Sequence, residues 1–237
     1  LPTMGHVIWR WLEFYDLDAE RLFARQDLSR ADLQSHSARV PSEKWEAIAS
    51  DAKDQFDDEC AGLNAARCWH PSDLGTLGYA WLASSTLRTG FHRMARYMKV
   101  VGERGSLSTQ DTSLGFQAVF QQNRPDPVMR ELIADFALSL MVDMARVNFG
   151  SALVPVEVTL QRQRPDCWKK YPNFYGCEVK FSAPEDSFTL NSMDVDRPLP
   201  SANKQLAGVH DRILMQQLAA LDREDIVARC QAIILEN

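Results

Sequence analysis

The sequence has no long apolar run, and this absence excludes a class of protein. Its longest apolar stretches are far shorter than the ~20 residues that a membrane-spanning helix needs. No positively charged segment followed by an apolar core and a small-residue cleavage site marks a secretory signal peptide. We therefore expect a protein with no membrane partner.

The sequence also has no excess of basic residues. Its 26 lysines and arginines are outnumbered by 32 aspartates and glutamates, which gives a net charge of −6. A DNA-binding domain normally carries a clustered basic surface, and no such cluster is visible here. We therefore do not expect these residues to contact DNA by themselves.

Cysteine is scarce, with five residues in the chain. A sparse and odd set is typical of a reducing compartment, so we expect a cytoplasmic protein. Cys60, Cys68 and His70 are close in sequence, but the two cysteines are farther apart than in most zinc sites. We expect no metal there. Cys167 and Cys177 flank an aromatic loop and are expected to be unperturbed thiols.

The common catalytic motifs are missing as well. The chain has no Gly-x-Ser-x-Gly, no His-Glu-x-x-His and no Gly-x-x-x-x-Gly-Lys. Asp57, Asp58 and Glu59 are adjacent acids, but their position fits the exposed face of a helix better than a catalytic carboxylate pair. We expect neither enzymatic activity nor a cofactor.

Helical periodicity dominates residues 1–101. Apolar residues recur every three to four positions in 3–15 and 42–56. The turn His-Pro-Ser-Asp at 70–73 contains short polar residues that can cap a helix. Gly75 and Gly78 follow inside a helical pattern, where each costs about 1 kcal/mol relative to alanine, so we expect close backbone packing there. A second helix after residues 84–86 has an apolar face formed by Leu87, Phe91, Met94, Ala95 and Met98.

After Gly102 the apolar period changes to two, which indicates strands. An N-cap and a first-turn proline at Asp126–Pro127 interrupt the strands and begin a long helix that ends near Phe149. The strand candidates are 105–110, 114–121, 154–161, 177–181 and 188–190. Because each candidate is apolar on one face, the predicted fold class is α+β, with an antiparallel sheet of four to five strands covered by helices.

A proline-rich segment at 197–201 predicts a boundary near residue 200. We expect residues 1–200 to form one domain, with a helical part at 1–101 and a sheet-and-helix part at 102–200. Residues 201–237 are predicted to be a helical tail. Its first helix has an apolar stripe from Leu206 to Leu221 that includes Val209, Ile213 and Leu214, and Asp222 is predicted to cap a second helix.

Several phrases resemble the N-terminal effector-binding domain of AraC/XylS-type transcription regulators, in the arabinose-binding-like branch. The segment HPSDLGTLGYAWLASSTLRTGFHRMARYMKVV at 70–101 resembles the signature of that domain. The strand phrase YGCEVKFSAP at 175–184 and the phrase DRPLP at 196–200 are similar to later motifs of the family, in the same order. The apolar helix at 3–15, the DAERL segment at 18–22 and the RVP turn at 39–41 resemble its opening.

The resemblance implies a bacterial sensor domain that binds a small-molecule effector and assembles as a homodimer. In that family a C-terminal pair of helix-turn-helix motifs reads DNA. The 237 residues contain no such pair, so we expect them to be the regulatory half of a longer regulator. DNA would then be reached only through that C-terminal domain. The alternative is a dimerisation module with no effector, assembled through the helix at 128–148 or the tail at 203–235.

A sensor needs a cavity, which we expect between the apolar face of the sheet and the helices over it. His70 and Arg96 are possible polar anchors. The full set of predicted lining residues is His70, Tyr79, Trp81, Arg96, Phe116, Phe120 and Phe136. The aromatic residues can equally well fill a solid core. If they line a cavity, they favour an apolar or amphipathic effector over a free sugar.

Overall fold

The computed structural model describes residues 1–34 and 39–236, and within the last helix it leaves out the side chains of 224, 225 and 227–236. The N-terminal part is helical, as predicted. Its α-helices are α1 (Met4–Phe14), α2 (Ala19–Ala24), α3 (Ser42–Lys53), α4 (Thr76–Leu82) and α5 (Leu87–Val101). Short 3-10 helices cover Asp32–Gln34, Ala61–Arg67 and Pro71–Leu74.

The turn at residues 70–73 caps a helix, as its sequence predicts. The His70 side chain accepts a hydrogen bond from the backbone N–H of Ser72, and the Asp73 carboxylate accepts one from the backbone N–H of His70. Gly75 has a φ of +56°, and a Cβ on Gly78 would lie 1.8 Å from the Pro71 carbonyl oxygen. The two glycines are therefore required by backbone conformation and close packing.

The second half of the chain contains a five-stranded sheet in the order β1-β2-β5-β3-β4. The strands are β1 (Gly105–Thr112), β2 (Gly115–Gln122), β3 (Glu157–Thr159), β4 (Val179–Lys180) and β5 (Asp186–Leu190). Most pairs are antiparallel, which confirms the α+β class, but β3 and β4 are parallel. The strand predicted at 154–161 is shorter than expected, because Pro155 has no N–H for a ladder bond. Val154 and Val156, which precede β3, are exposed.

The central helix α6 (Pro127–Phe149) begins where predicted. The Asp126 carboxylate accepts hydrogen bonds from the backbone N–H groups of Val128 and Met129. The 3-10 helix Ala61–Arg67 lies directly on α6, since a Cβ on Gly62 would be 2.4 Å from the Leu132 carbonyl oxygen. Two short helices, α7 (Lys170–Tyr175) and α8 (Ser192–Asp196), flank the last strands.

Two apolar cores stabilise the fold. The larger one joins α4, α5, α6 and the sheet, and α1 contributes Val7 and Trp11 to it. The smaller one lies among α1, α2 and α3 and comprises Trp9, Leu12, Ala19, Leu22, Phe23, Leu28, Leu33, Ile48 and Ala52. The first three helices therefore form a small packed unit, attached to the main core through α1 and through Ala49 of α3.

The tail forms one continuous helix, α9 (Lys204–Glu236), and the predicted break at Asp222 is wrong. The sequence around Asp222 has no glycine or proline, so nothing interrupts the backbone hydrogen bonds. The tail packs against α4 and α5. Among its described side chains, Ala207, Leu214 and Leu221 are buried, whereas Leu206, Val209 and Ile213 of the predicted stripe are exposed. Asn237, the last residue of the predicted tail, lies outside the described residues.

A disulfide joins Cys60 to Cys167, which are 107 residues apart in sequence. The expectation that Cys167 is an unperturbed thiol is therefore wrong, because the fold brings the segment before α7 against the 3-10 helix that starts after Cys60. Cys177 is a free thiol, and burial raises its pKa to about 11. None of the helices in the described part of the chain is both long enough and apolar enough to cross a bilayer.

Candidate functional site

A cavity of about 210 Å³ lies between the small unit of α1–α3 and the main core. Its walls come from α1, α3, α5 and α6, and Phe120 of β2 closes one side. The helices α1, α3 and α5 are amphipathic and turn apolar side chains inwards, whereas α6 is buried on most of its surface. The buried residues of the lining all belong to the larger core.

The walls of the cavity are mostly apolar and rich in methionine. Trp11 packs edge-on against Phe136, with 5.3 Å between ring centroids. The methionines that line the cavity are Met4, Met94, Met98, Met141 and Met144. Methionine side chains are unbranched and flexible, so a methionine-lined wall adapts to occupants of different shapes. The empty volume is therefore a lower bound on what the cavity accommodates.

Charged residues are confined to one stretch of the lining. The Arg124 guanidinium pairs with the Glu46 carboxylate at 2.8 Å, and Arg104 lies 3.7 Å from Glu43. The Nε atom of Arg104 is buried and has no hydrogen-bond partner in the described part of the chain. A buried N–H without an acceptor is costly. The 3.7 Å separation from Glu43 is too long for a hydrogen bond, so the end of the Arg104 guanidinium at the cavity wall is held only loosely.

Two of the residues predicted to line a cavity do so. Phe120 lies on β2 and Phe136 on α6, and both are almost fully buried at the cavity wall. Both were selected because their strand or helix turns an apolar face towards the interior. Whether either contacts a ligand stays a prediction.

Five of the predicted residues lie elsewhere. His70 is exposed and caps the 3-10 helix, and Tyr79 is exposed on α4, where it stacks on His210 of α9. Trp81 and Phe116 belong to the solid core, where the Trp81 indole N–H donates to the Met144 carbonyl. Arg96 lies on the outer side of α5, in a separate groove. The structure therefore does not bring these five to the cavity.

Sequence reasoning missed most of the lining. Trp45 and Met94 were recognised as apolar positions on helices, but nothing in a single helix shows that its stripe faces a gap. Arg104 and Arg124 flank the β1–β2 hairpin and look like ordinary surface residues in the sequence. The only related signal in the signature segment 70–101 is a pair of methionines, Met94 and Met98, one helical turn apart.

On its other side α6 carries a buried polar cluster, formed by Asp135, Arg162 and Tyr171. The Asp135 carboxylate accepts hydrogen bonds from Arg162 Nη1 at 2.5 Å and from the Tyr171 hydroxyl at 2.7 Å. Arg162 Nη2 also donates to Glu59 at 3.0 Å. Burial raises the pKa of Asp135 to about 7, against the opposing effects of Arg162 and Tyr171.

One group of side chains near this polar cluster has the composition of a metal site. Asp58, Cys60 and Cys167 place their carboxylate oxygen and sulfur atoms within 4.8 Å of one another. The two sulfurs are bonded to each other, however, so neither is a thiolate ligand. The Asp58 carboxylate instead pairs with Lys170 at 2.8 Å. The arrangement therefore fixes the loop before α7.

Comparison with known proteins assigns the chain to a family. The sequence profile described as the arabinose-binding domain of AraC transcription regulators, N-terminal, matches residues 17–199. The match covers well over half of the chain, including the cavity walls formed by α3, α5, β2 and α6.

Two relatives agree with this match. The ornithine utilization regulator of Pseudomonas aeruginosa is 22% identical over 224 residues, which are 93% of this chain and 66% of that protein. The crystal structure of the transcriptional regulator CdpR from Pseudomonas aeruginosa has the same fold, with a TM-score of 0.61 and 18% identity, over 86% of this chain and 61% of that one. The chain thus spans slightly less than two thirds of each relative.

Proposed function

Because this chain belongs to the family of N-terminal arabinose-binding domains of AraC transcription regulators, we propose that it senses a small-molecule effector in the cavity beside α6. Residues 1–200 form the sensor and residues 201–237 the connecting helix in this proposal. Enzymatic activity forms no part of it. The observation that carries it is a largely apolar cavity of about 210 Å³ between α1 and α3 on one side and α5 and α6 on the other.

The ligand class follows from the lining. An apolar cavity of about 150 Å³ is large enough to bind benzene, so this one accepts a somewhat larger apolar group. The loosely held end of the Arg104 guanidinium supplies a hydrogen-bond donor for an acceptor on the ligand, such as a carboxylate oxygen. A free sugar would bury several hydroxyls without partners, at a cost of about 1–3 kcal/mol each. We therefore propose an amphipathic effector, and not arabinose or ornithine.

The route from the cavity to the tail passes through α5. On its inner side, Met94 and Met98 line the cavity. On its outer side, Arg93 pairs with Asp211 of α9 at 2.7 Å, and Lys99 pairs with Asp222 at 2.7 Å. A ligand that shifts α5 therefore changes the contacts that hold α9. A C-terminal DNA-binding domain attached to α9 would respond to that change.

The proposal is tested by thermal unfolding of the purified chain with hexanoate, benzoate, arabinose and ornithine. A ligand that binds only the folded state raises Tm with concentration, and we expect this for hexanoate or benzoate. Ala137→Met, which fills the cavity from α6, should abolish the response. Ala24→Met, on an exposed position of α2, should preserve it.

Two results would overturn the proposal. One is a Tm that none of the four compounds raises. The other is a response that survives Ala137→Met unchanged, since the compound would then bind elsewhere.

The alternative function is dimerisation without an effector, and one observation favours it. The tail helix leaves Leu206, Val209 and Ile213 exposed on the protein surface, and exposed apolar residues favour association. Sedimentation equilibrium would show a concentration-dependent dimer that Val209→Lys weakens. If the dimer forms and no compound changes Tm, these results favour dimerisation without an effector.

A further inference from the structure

The disulfide between Cys60 and Cys167 is buried at one end and partly exposed at the other. Cys60 is fully buried, whereas Cys167 is partly exposed and follows the exposed Asp166. A reductant therefore reaches the bond from the Cys167 side. Cys68 and Cys177 are free thiols, and burial raises the pKa of each to about 11. Both stay protonated at neutral pH, so neither supplies a thiolate that exchanges with this bond.

The residue after Cys60 contacts the wall of the cavity. The Ala61 carbonyl accepts a hydrogen bond from the Trp11 indole N–H at 2.9 Å, in a buried environment. Trp11 lines the cavity and packs against Phe136 of α6. The disulfide is therefore one residue away from a hydrogen bond that positions a cavity side chain.

Ion pairs hold the two cysteine segments together independently of the disulfide. Arg162 Nη2 donates to the Glu59 carboxylate at 3.0 Å. The Lys170 ammonium pairs with the Asp58 carboxylate at 2.8 Å. This carboxylate lies within 4.8 Å of both sulfurs, and Lys170 offsets its charge there. After reduction the two thiols therefore stay close together, and the bond can form again.

The place where a transcription regulator acts bears on the role of this bond. Such a protein acts on DNA, and the compartment that holds the DNA keeps thiols reduced, so that disulfides found there are mostly transient and serve catalysis or redox sensing. We propose that the bond between Cys60 and Cys167 is a reversible redox switch that regulates effector binding in the cavity. This inference rests on the proposed function. The oxidised pair holds Ala61 and Trp11 in the geometry of the cavity wall, whereas the reduced pair releases this segment and weakens binding.

Reduction of the bond needs a small thiol or a dithiol as co-reactant. A thiolate attacks Cys167 Sγ and forms a mixed disulfide, while the bond to Cys60 breaks and its electron pair leaves on Cys60 Sγ, which takes up a proton. A second thiolate attacks the reductant sulfur of the mixed disulfide, and Cys167 leaves and is protonated. The protein gains two electrons and two protons, and the reductant becomes a disulfide. Oxidised glutathione reverses these steps.

The test compares the oxidised and reduced forms of the purified chain. Calorimetry measures the affinity for hexanoate and benzoate before and after reduction with excess dithiothreitol. We expect the oxidised form to bind at least about fivefold more tightly, at the lower end of typical couplings between sites. Cys167→Ala should bind as weakly as the reduced wild type and should not respond to the reductant. Cys177→Ala, at a free thiol, is the matched control and should keep the full redox response.

A second measurement needs neither a variant nor a ligand. The wild type is equilibrated in glutathione buffers from oxidising to reducing, and the free thiols are alkylated and identified by mass spectrometry. We expect Cys60 and Cys167 to change from disulfide to thiols across this range and back again. In the reduced form, hydrogen exchange should be faster in residues 61–67 and in α1, and unchanged in the β1–β2 hairpin.

The proposal is wrong if the bond stays intact in every glutathione buffer, since it is then a permanent structural link. It is also wrong if the reduced pair does not re-form, or if the oxidised and reduced forms bind the compound equally well. Equal binding leaves the effector proposal intact. If no compound binds either form, the effector proposal fails, and this regulation fails with it.

Discussion

The two sides of α6 are packed in different ways. One side faces the cavity, where flexible methionines surround empty space. The other side faces the polar cluster, where Asp135, Arg162 and Tyr171 are held by directional hydrogen bonds next to a disulfide. Because α6 is fixed from one side, its other side can adapt to a ligand without loss of the fold.

The largest expected effect comes from breaking the fixed side. Arg162→Met removes the cation that pairs with Asp135 and leaves a buried carboxylate without its partner. We expect a loss of about 3–5 kcal/mol in the free energy of unfolding at pH 8, measured by urea denaturation. Arg164→Met, at an exposed neighbouring arginine, should cost less than about 1 kcal/mol. Equal losses in the two variants would show that the polar cluster stabilises the fold no more than an exposed arginine does.

The disulfide provides a second test of the contribution that the fixed side of α6 makes to stability. Cys167→Ala opens a loop of 107 residues and should lower the free energy of unfolding by about 2–5 kcal/mol. Cys177→Ala, at a half-buried free thiol, is the comparison variant and should have a much smaller effect. Reducing agent should destabilise the wild type and leave the Cys167→Ala protein unaffected. The same sensitivity in both proteins would contradict a stabilising role of this bond.

Two alanines on α6 compare the two sides directly. Ala134 is buried away from the cavity, so Ala134→Met should overpack the core and cost about 1–3 kcal/mol. Ala137 lines the cavity, so Ala137→Met has room for the added atoms and should be close to neutral. Thermal and chemical unfolding of the two variants measures the difference. Equal costs would mean that the cavity wall is as rigid as the packed side.

The pH dependence of stability tests a single group of the polar cluster. The pKa of Asp135 is raised from 3.8 to about 7, so the folded state binds more protons than the unfolded state between these values. Its contribution to stability is therefore complete below pH 3.8 and is lost as the pH rises through 7. We expect the free energy of unfolding of the wild type to fall by up to about 1.4 kcal/mol per pH unit relative to Asp135→Asn. Parallel pH profiles would contradict the raised pKa.

Local sequence signals predicted the elements of this fold well. Asp126 and Pro127 fixed the start of α6, and the alternation after Gly102 located β1 and β2. These signals depend on neighbours a few residues away, such as a cap, a fixed φ or one face of a strand. The strand predicted at 154–161 forms only over Glu157–Thr159, because the apolar alternation continues through Pro155 but the ladder does not.

The site was harder to predict because it depends on contacts between distant segments. Phe120 and Phe136 were found because they face inwards on regular elements, whereas Arg104 became a cavity residue only through the packing of α3 on the hairpin. The bond between Cys60 and Cys167 was missed for the same reason. No spacing rule relates residues from two loops that meet only after α6 is in place.

The contact of Gly62 with the Leu132 carbonyl determines which wall of the cavity can move when a large ligand binds. That contact leaves no room for even one methyl group, so the backbone after Cys60 cannot move closer to α6, and the bond between Cys60 and Cys167 limits its movement away. Expansion is left to the opposite wall, where the helices around Trp9 and Ile48 hold together as a unit. A ligand larger than the cavity should therefore displace α1, α2 and α3 together as one rigid unit, without changing the packing inside that unit.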